Sequence, residues 1–318
     1  MYKEPIFLKP VFQERIWGGT KLQTEFHYDI PYEHTGEAWV ISAHPNGPST
    51  ILNGELKGFT LKDAWEKNGE LFNKAEDNEE EYPLLIKILD ANDDLSVQVH
   101  PDDTYAREVE KQPYGKTECW YILSAEPGAE IIFGHHAKTQ DELKAMVADG
   151  KWDDLLRRVP VKAGDFVYVP SGTIHAIGKG IVILETQQSS DITYRVYDYD
   201  RTDAQGNTRE LHLDAAIKVT NVPHETMNID QSESESNGLK VKRLVEEQYF
   251  TVYHWQLDGE VDQSLTNDFL QISVVDGKGQ IVVEGNAFDI AKGDNFILPS
   301  TIDSYTLSGN AEFIVSHP

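Results

Sequence analysis

GDFVYVPS, running from Gly164 to Ser171, returns as GDNFILPS from Gly293 to Ser300, with Gly, Asp, Pro and Ser in identical register. Each copy is a short apolar run between a Gly-Asp turn and a Pro-Ser turn, the pattern of a strand bounded at both ends. A supersecondary unit written twice is most simply explained as two copies of one β-barrel. The copies part company further along. The residue eleven after Gly164 is His175, whereas the residue eleven after Gly293 is Ser304. The first copy therefore offers a metal ligand that the second lacks.

Working outward from the repeat, Val-, Ile-, Tyr- and Phe-rich runs separated by Gly, Pro, Asn and Asp dominate the chain. The fold class is mainly β, two jelly-roll β-barrel units with a few inserted helices. One helix is expected after Thr60 through Leu61, Ala64, Trp65 and Leu71. Another is expected after Thr139, where Thr139 and Glu142 have capping-box spacing, ending near Gly150 with a further turn or two through Trp152 and Leu155. These helices interrupt the strands instead of alternating with them, which disfavours a parallel βαβ sheet. From His224 to Gly238 the chain has almost nothing apolar to bury and reads as a linker or exposed loop. The expected organisation is a metal-binding catalytic unit over 1–223, that connection over 224–238, and a small β-unit without metal ligands over 239–318.

The 318 residues carry 28 basic against 54 acidic side chains, a net charge of −26. That balance opposes nucleic acid and anionic membranes, which reward basic patches. It also repels anionic metabolites, so an enzyme acting on one must gather its few cations at the site. The N-terminus lacks the apolar core of a signal peptide and no stretch reads as a membrane span, which with the lone Cys119 leads to an expectation of a cytoplasmic protein.

In LSVQVHPDD, Leu95 to Asp103, strand alternation puts Ser96, Gln98 and His100 on one face and Leu95, Val97 and Val99 on the other. An inward polar face is costly unless it is hydrogen-bonded or binds something, and a metal would serve; a solvated edge strand is the plainer alternative. In GKTECWYIL, Gly115 to Leu123, the same parity turns Lys116, Glu118 and Trp120 one way and Cys119 the other. Cys119 then reads as a small core residue and not a nucleophile. His135 and His136 follow Gly134 at a strand end and read as exposed, unligated histidines; His44 reads as shaping an entrance. Asp102 and Asp103 read as turn residues, one of them a candidate to orient His100.

The spacing Gly164, Pro170, Gly172, His175 resembles the second motif of cupin barrels, which supply one His there and further ligands from an earlier strand pair, usually His-x-His and a Glu. Here Gln98 stands in place of the first His. Gln-x-His, a Lys two residues before a Glu and a later His resemble the zinc site of the type I phosphomannose isomerases in their short bacterial form. IWGG at Ile16 to Gly19, GEAWVISAHPNG at Gly36 to Gly47 and HAIGKGIVILETQQSSDITYRVYD at His175 to Asp198 extend that resemblance over most of the first 215 residues.

The resemblance implies that Gln98, His100, Glu118 and His175 hold a Zn²⁺ ion, with other divalent ions able to take its place. It implies a metal-dependent interconversion of mannose 6-phosphate and fructose 6-phosphate through an enediol. Arg195, Lys116 and Glu185 match catalytic positions, and Ser96 and Arg201 match substrate-binding ones, Arg201 toward the phosphate. For the base, Glu185, Lys116 and a metal-bound hydroxide all stay open. The rivals are a cupin dioxygenase, which would want His-x-His, and a sugar-binding cupin without turnover. The oligomeric state stays open.

Overall fold

The computed structural model describes residues 2–75, 79–202, 206–266 and 268–318, which form three antiparallel sheets with short helices between strands. In spatial order, the first sheet runs Phe166–Val169, Glu118–Ala125, Ile181–Gln188, Leu84–Ala91, Thr35–Ser42, Val11–Gly19. The second runs Tyr194–Tyr197, Val97–Val99, His175–Ile177, Glu130–His135, Leu156–Pro160. Trp120, Ile122, Leu89 and Ile183 of the first sheet and Ile131 and Ile177 of the second share one buried cluster, so the two sheets close over a common core. Leu84–Ala91 is buried along its whole length because both of its faces are covered. Leu89 and Ala91 join the core between the sheets, while Leu84, Ile86 and Ile88 pack into a second cluster behind.

The third sheet holds most of the C-terminal part: Ser232–Ser236, Leu239–Glu246, Thr251–Ser264, Ser304–His317, Leu270–Val283 and Asn295–Leu298 in order, with Asn286–Ala291 beside Leu270–Val283. Two features differ from the sequence expectation. Ser232–Ser236, inside the stretch read as a linker or exposed loop, is an exposed edge strand pairing with Leu239–Arg243: the backbone ladder holds it although its side chains bury nothing. And Ile6–Lys9 pairs with Asn295–Leu298 while Thr50–Ile51 extends the same sheet, so hydrogen bonding and packing run across the expected boundary. The cluster behind the first sheet includes Ile86, Cys119 and Leu184 together with Leu244, Phe250 and Ile314.

The repeat is the same turn built twice. Gly164 and Gly293 take φ of 86° and 99°, a left-handed conformation that favours glycine. Asp165 Oδ2 accepts the Lys162 N–H at 2.9 Å, and Asp294 Oδ2 accepts the Ala291 N–H at 2.8 Å. Beyond the strand, Thr173 N donates to Pro170 O and Ile302 N to Pro299 O.

Thr60 caps the helix Leu61–Lys67 in a full capping box with Asp63; the helix stops there, and a tighter turn, Gly69–Phe72, carries Leu71, because Gly69 continues a helix poorly. Thr139 caps Gln140–Ala148, but Glu142 reaches back to the Lys138 N–H instead of closing the box at Thr139. Among the described residues no helix is long and apolar enough to cross a membrane.

Candidate metal centre

On the inner face of the first sheet the apolar core gives way, toward one end, to charged side chains. Trp39, Lys87, Glu185 and Trp120 stand in one row across four neighbouring strands, since each is the register partner of the next. Glu118 lies two residues from Trp120 on the same face, while Cys119 points into the cluster behind the sheet, where burial pushes its thiol well up. The second sheet faces them with Gln98 opposite His175 on one side and Arg195 on the other.

His100, Glu118 and His175 are each about 1% exposed, and one ligand atom from each lies within 4.8 Å of the others. Glu118 Oε1 is 3.3 Å from His175 Nε2 and Oε2 is 3.5 Å from His100 Nε2. Both rings are fixed from behind by main-chain carbonyls: His100 Nδ1 donates to Ile192 O at 2.8 Å and His175 Nδ1 to Thr173 O at 2.9 Å. That places the ring proton on Nδ1 and leaves each Nε2 lone pair aimed at the carboxylate. His100 is therefore oriented by Ile192 and not by an aspartate; Asp102 instead caps the following helix at the Tyr105 N–H. Gln98 Nε2 stands 3.4 Å from His175 Nε2. Burial, with Lys116 nearby, lowers both imidazole pKa values, so the rings are neutral. Burial alone would raise the Glu118 carboxyl, but the Lys116 and Lys87 ammonium groups oppose it and the pKa stays below the ordinary value, which keeps the group ionised. His100 Nε2 is buried without a hydrogen-bond partner. Two neutral imidazoles, a carboxylate and an adjacent amide, with an orphaned nitrogen among them, are a donor set that fits a divalent metal.

Beside this cluster lies a cavity of about 340 Å³ whose lining includes Ser96, Gln98, Lys116, Glu185 and Arg195 together with Arg15, Glu37, Lys87 and Arg209. The Lys116 ammonium is 3.2 Å from Glu118 Oε2; burial works against its charge, but Glu118 and Glu185 hold its pKa above the ordinary value. Glu185 is pushed up as well, by burial and then by Glu118, so its proton is held more tightly than an ordinary carboxyl holds one. Its Oε2 shares the Trp120 indole N–H with Glu118 Oε1, at 3.1 Å each. Ser96 accepts from Arg195 Nε at 3.4 Å. Arg201 does not line the cavity: its guanidinium is taken up by Asp198 and the Asp94 carbonyl. Arg209, bound to the same Asp198 at 2.6 and 2.7 Å, does line it.

Lys87, Glu37 and Arg15 escaped the sequence reading. Burial opposes the Glu37 charge, but Lys87 and Arg15 outweigh it and bring its pKa to about 2; Arg15 Nε lies 2.9 Å away. The signal was present, a lysine within LLIKIL and a glutamate within GEAWVI, each a charge inside an apolar strand. His135 also departs from expectation: it is buried, its Nε2 bonded to Asn221 O at 2.9 Å, because the 220–224 segment folds over it. His44 packs edge-on against Trp39 at the cavity wall. A larger cavity, about 830 Å³, opens on the C-terminal sheet around Gly277, Gly279 and Gly309, but it has no histidine and no buried unpartnered polar side chain.

A model described as the catalytic domain of type I phosphomannose isomerase matches residues 6–118, and one described as the mannose-6-phosphate isomerase cupin domain matches 240–318. A mannose-6-phosphate isomerase of Streptococcus mutans is 52% identical over 314 residues, covering 99% of this chain and 98% of that one. One from Bacillus subtilis is 51% identical over the full length of both. The crystal structure of a mannose 6-phosphate isomerase from Bacillus subtilis superposes with a TM-score of 0.96 at 50% identity, covering 99% of each chain. With half of its residues shared along the whole length, in the same fold, the chain belongs to the type I phosphomannose isomerase family.

Proposed function

We propose that this protein is a metal-dependent aldose–ketose isomerase that interconverts mannose 6-phosphate and fructose 6-phosphate through an enediol, with zinc as its ion. The observation that carries the reading is the buried His100, Glu118, His175 cluster, its two Nε2 atoms turned on one carboxylate at the wall of a cation-lined cavity. Gln98 completes the ligand set. The bound ion supplies a Lewis acid for the sugar's carbonyl and hydroxyl oxygens, and a redox-silent d¹⁰ ion suits a reaction without electron transfer to solvent or oxygen.

The chain's own residues do the rest. The isomerisation moves a proton between C1 and C2, so it needs a proton carrier and a positive field where the oxyanion develops. Glu185 is the carrier in this reading: a buried carboxyl at the cavity wall whose pKa burial raises toward the working range. Lys116, kept protonated by Glu118 and Glu185, is a donor and not a base. Arg195, held by Ser96 and the Glu210 carbonyl, stabilises the enediolate with it. Arg209 takes the phosphate from the cavity wall, and Arg201 braces Asp198, which orients Arg209. Residues 1–223 carry this chemistry and 239–318 serve as scaffold, in a cytoplasmic setting.

The test is to purify the protein, measure bound metal, and assay the conversion before and after chelation. Stoichiometric zinc is expected, with activity lost on chelation and restored by added zinc. Turnover that survives complete metal removal would overturn the reading.

A further inference from the structure

The QQSS stretch between Thr186 and Asp191 belongs to no role so far, yet Gln188 is only 3% exposed and both ends of its amide are bonded. Its Oε1 accepts the Thr117 N–H at 2.9 Å, and its own main-chain N–H donates to Thr117 O at 3.0 Å. Both backbone groups of Thr117, the residue between Lys116 and Glu118, are thus held by one partner. At the other end Gln188 Nε2 donates to Asp103 Oδ1 at 2.9 Å. The same oxygen accepts the Gly115 N–H at 2.8 Å, where a side chain would meet Asp102 backbone at 2.4 Å. Lys116 N donates to Pro101 O at 2.9 Å, and Ser171 N to Thr117 Oγ1 at 3.2 Å. Three segments converge here: the one leaving His100, the one entering Glu118, and the turn that delivers His175.

We propose that Gln188 is a positioning residue for the isomerase site, a clamp that sets Glu118 and Lys116 relative to His100 and His175 without touching substrate. A buried primary amide suits the task because it donates and accepts at once. A carboxylate keeps only the acceptor toward Thr117 and sets a second charge against Asp103; a methionine keeps neither bond. Misplacing reacting groups by about 1 Å costs on the order of a hundredfold in rate, so a shift of a few tenths of an ångström is expected to cost about tenfold.

This inference rests on the function proposed above, and wild-type turnover in the same assay separates the two: an inactive wild type removes the function, not the clamp alone. With wild type active and zinc saturating, Gln188→Met is expected to lower kcat about tenfold, Gln188→Glu less, with KM within about twofold and metal content unchanged. Asp103→Ala breaks the clamp at its other end, so the pair Gln188→Met with Asp103→Ala is expected to be no slower than the poorer single variant. Wild-type kcat in both Gln188 variants, fully additive losses in the pair, or losses matching the unfolded fraction at assay temperature overturn the proposal. Should Gln188→Met not fold, Gln188→Glu and Asp103→Ala carry the same test.

Discussion

The two copies of the repeat share a turn, a strand and a register, and differ in what they bury. Val169 pairs with Glu118 in the first, and its counterpart Leu298 pairs with Leu270 in the second. Stepping along those paired strands, Lys116, Glu118 and Trp120 answer to Asp268, Leu270 and Ile272, and His175 answers to Ser304. The second copy fills the position with hydrocarbon: Leu270, Ile272, Leu298 and Ile302 sit in one buried cluster, each contributing about 1.5–3 kcal/mol. The first copy gives up that contribution to hold two neutral histidines and an ionised carboxylate under a sheet, with Lys87, Lys116 and Glu37 balancing charge around them. One repeated β-unit therefore carries a packed apolar core in one copy and a buried charged cluster in the other, depending on which residues occupy a few inward positions.

The comparison breaks most sharply if the first copy is given the second's residue. His175→Ser should abolish metal binding and lower kcat/KM by about three orders of magnitude, the several kcal/mol a Lewis acid supplies; elemental analysis beside the isomerase assay checks both. The reverse exchange, Leu270→Glu, buries a carboxylate with neither cation nor metal ligand beside it. It should cost at least about 3 kcal/mol in a urea titration, with no metal gained. A variant that kept its stability would mean the second core already tolerates charge.

Acid sensitivity sharpens the contrast further, because the described histidines whose pKa burial lowers, His44, His100, His135, His175 and His224, all precede the C-terminal unit. Burial first, then Arg157 and His135, bring the His224 pKa to about 4 from an ordinary 6.5. A depressed histidine pKa means that the unfolded chain binds the proton more readily, so this stabilisation is present above pH 6.5 and lost as pH falls toward 4. His224→Gln should flatten the fall in melting temperature over that window, by about 2 °C at pH 4.5, since the ring is only partly buried. Ser304→His should do least: the site is exposed, so stability should stay within about 0.5 kcal/mol of wild type and calorimetry should find no zinc on the second unit.

The repeat, the predominance of strands and the helix caps at Thr60 and Thr139 could be read in sequence because turns and caps are local, decided by residues within a few positions of one another. Strand parity separated Glu118 from Cys119 for the same reason. What parity could not supply is which strands lie side by side. The row Trp39, Lys87, Glu185, Trp120 exists only because four strands distant in sequence are in register, so Lys87 and Glu37 passed unnoticed although each is a charge inside an apolar run. Arg201 and Arg209 cannot be ranked along a chain either, since Asp198 binds both and only the fold turns one of them to the cavity. The boundary expected between 223 and 239 was likewise a reading of local polarity, whereas Ile6–Lys9 joins the C-terminal sheet through backbone bonds that carry no mark in side-chain pattern. The sequence by itself determined the repeat and which side chains each copy carries; the tertiary structure decided which charges meet, because burial and pairing are set by neighbours far apart in the chain.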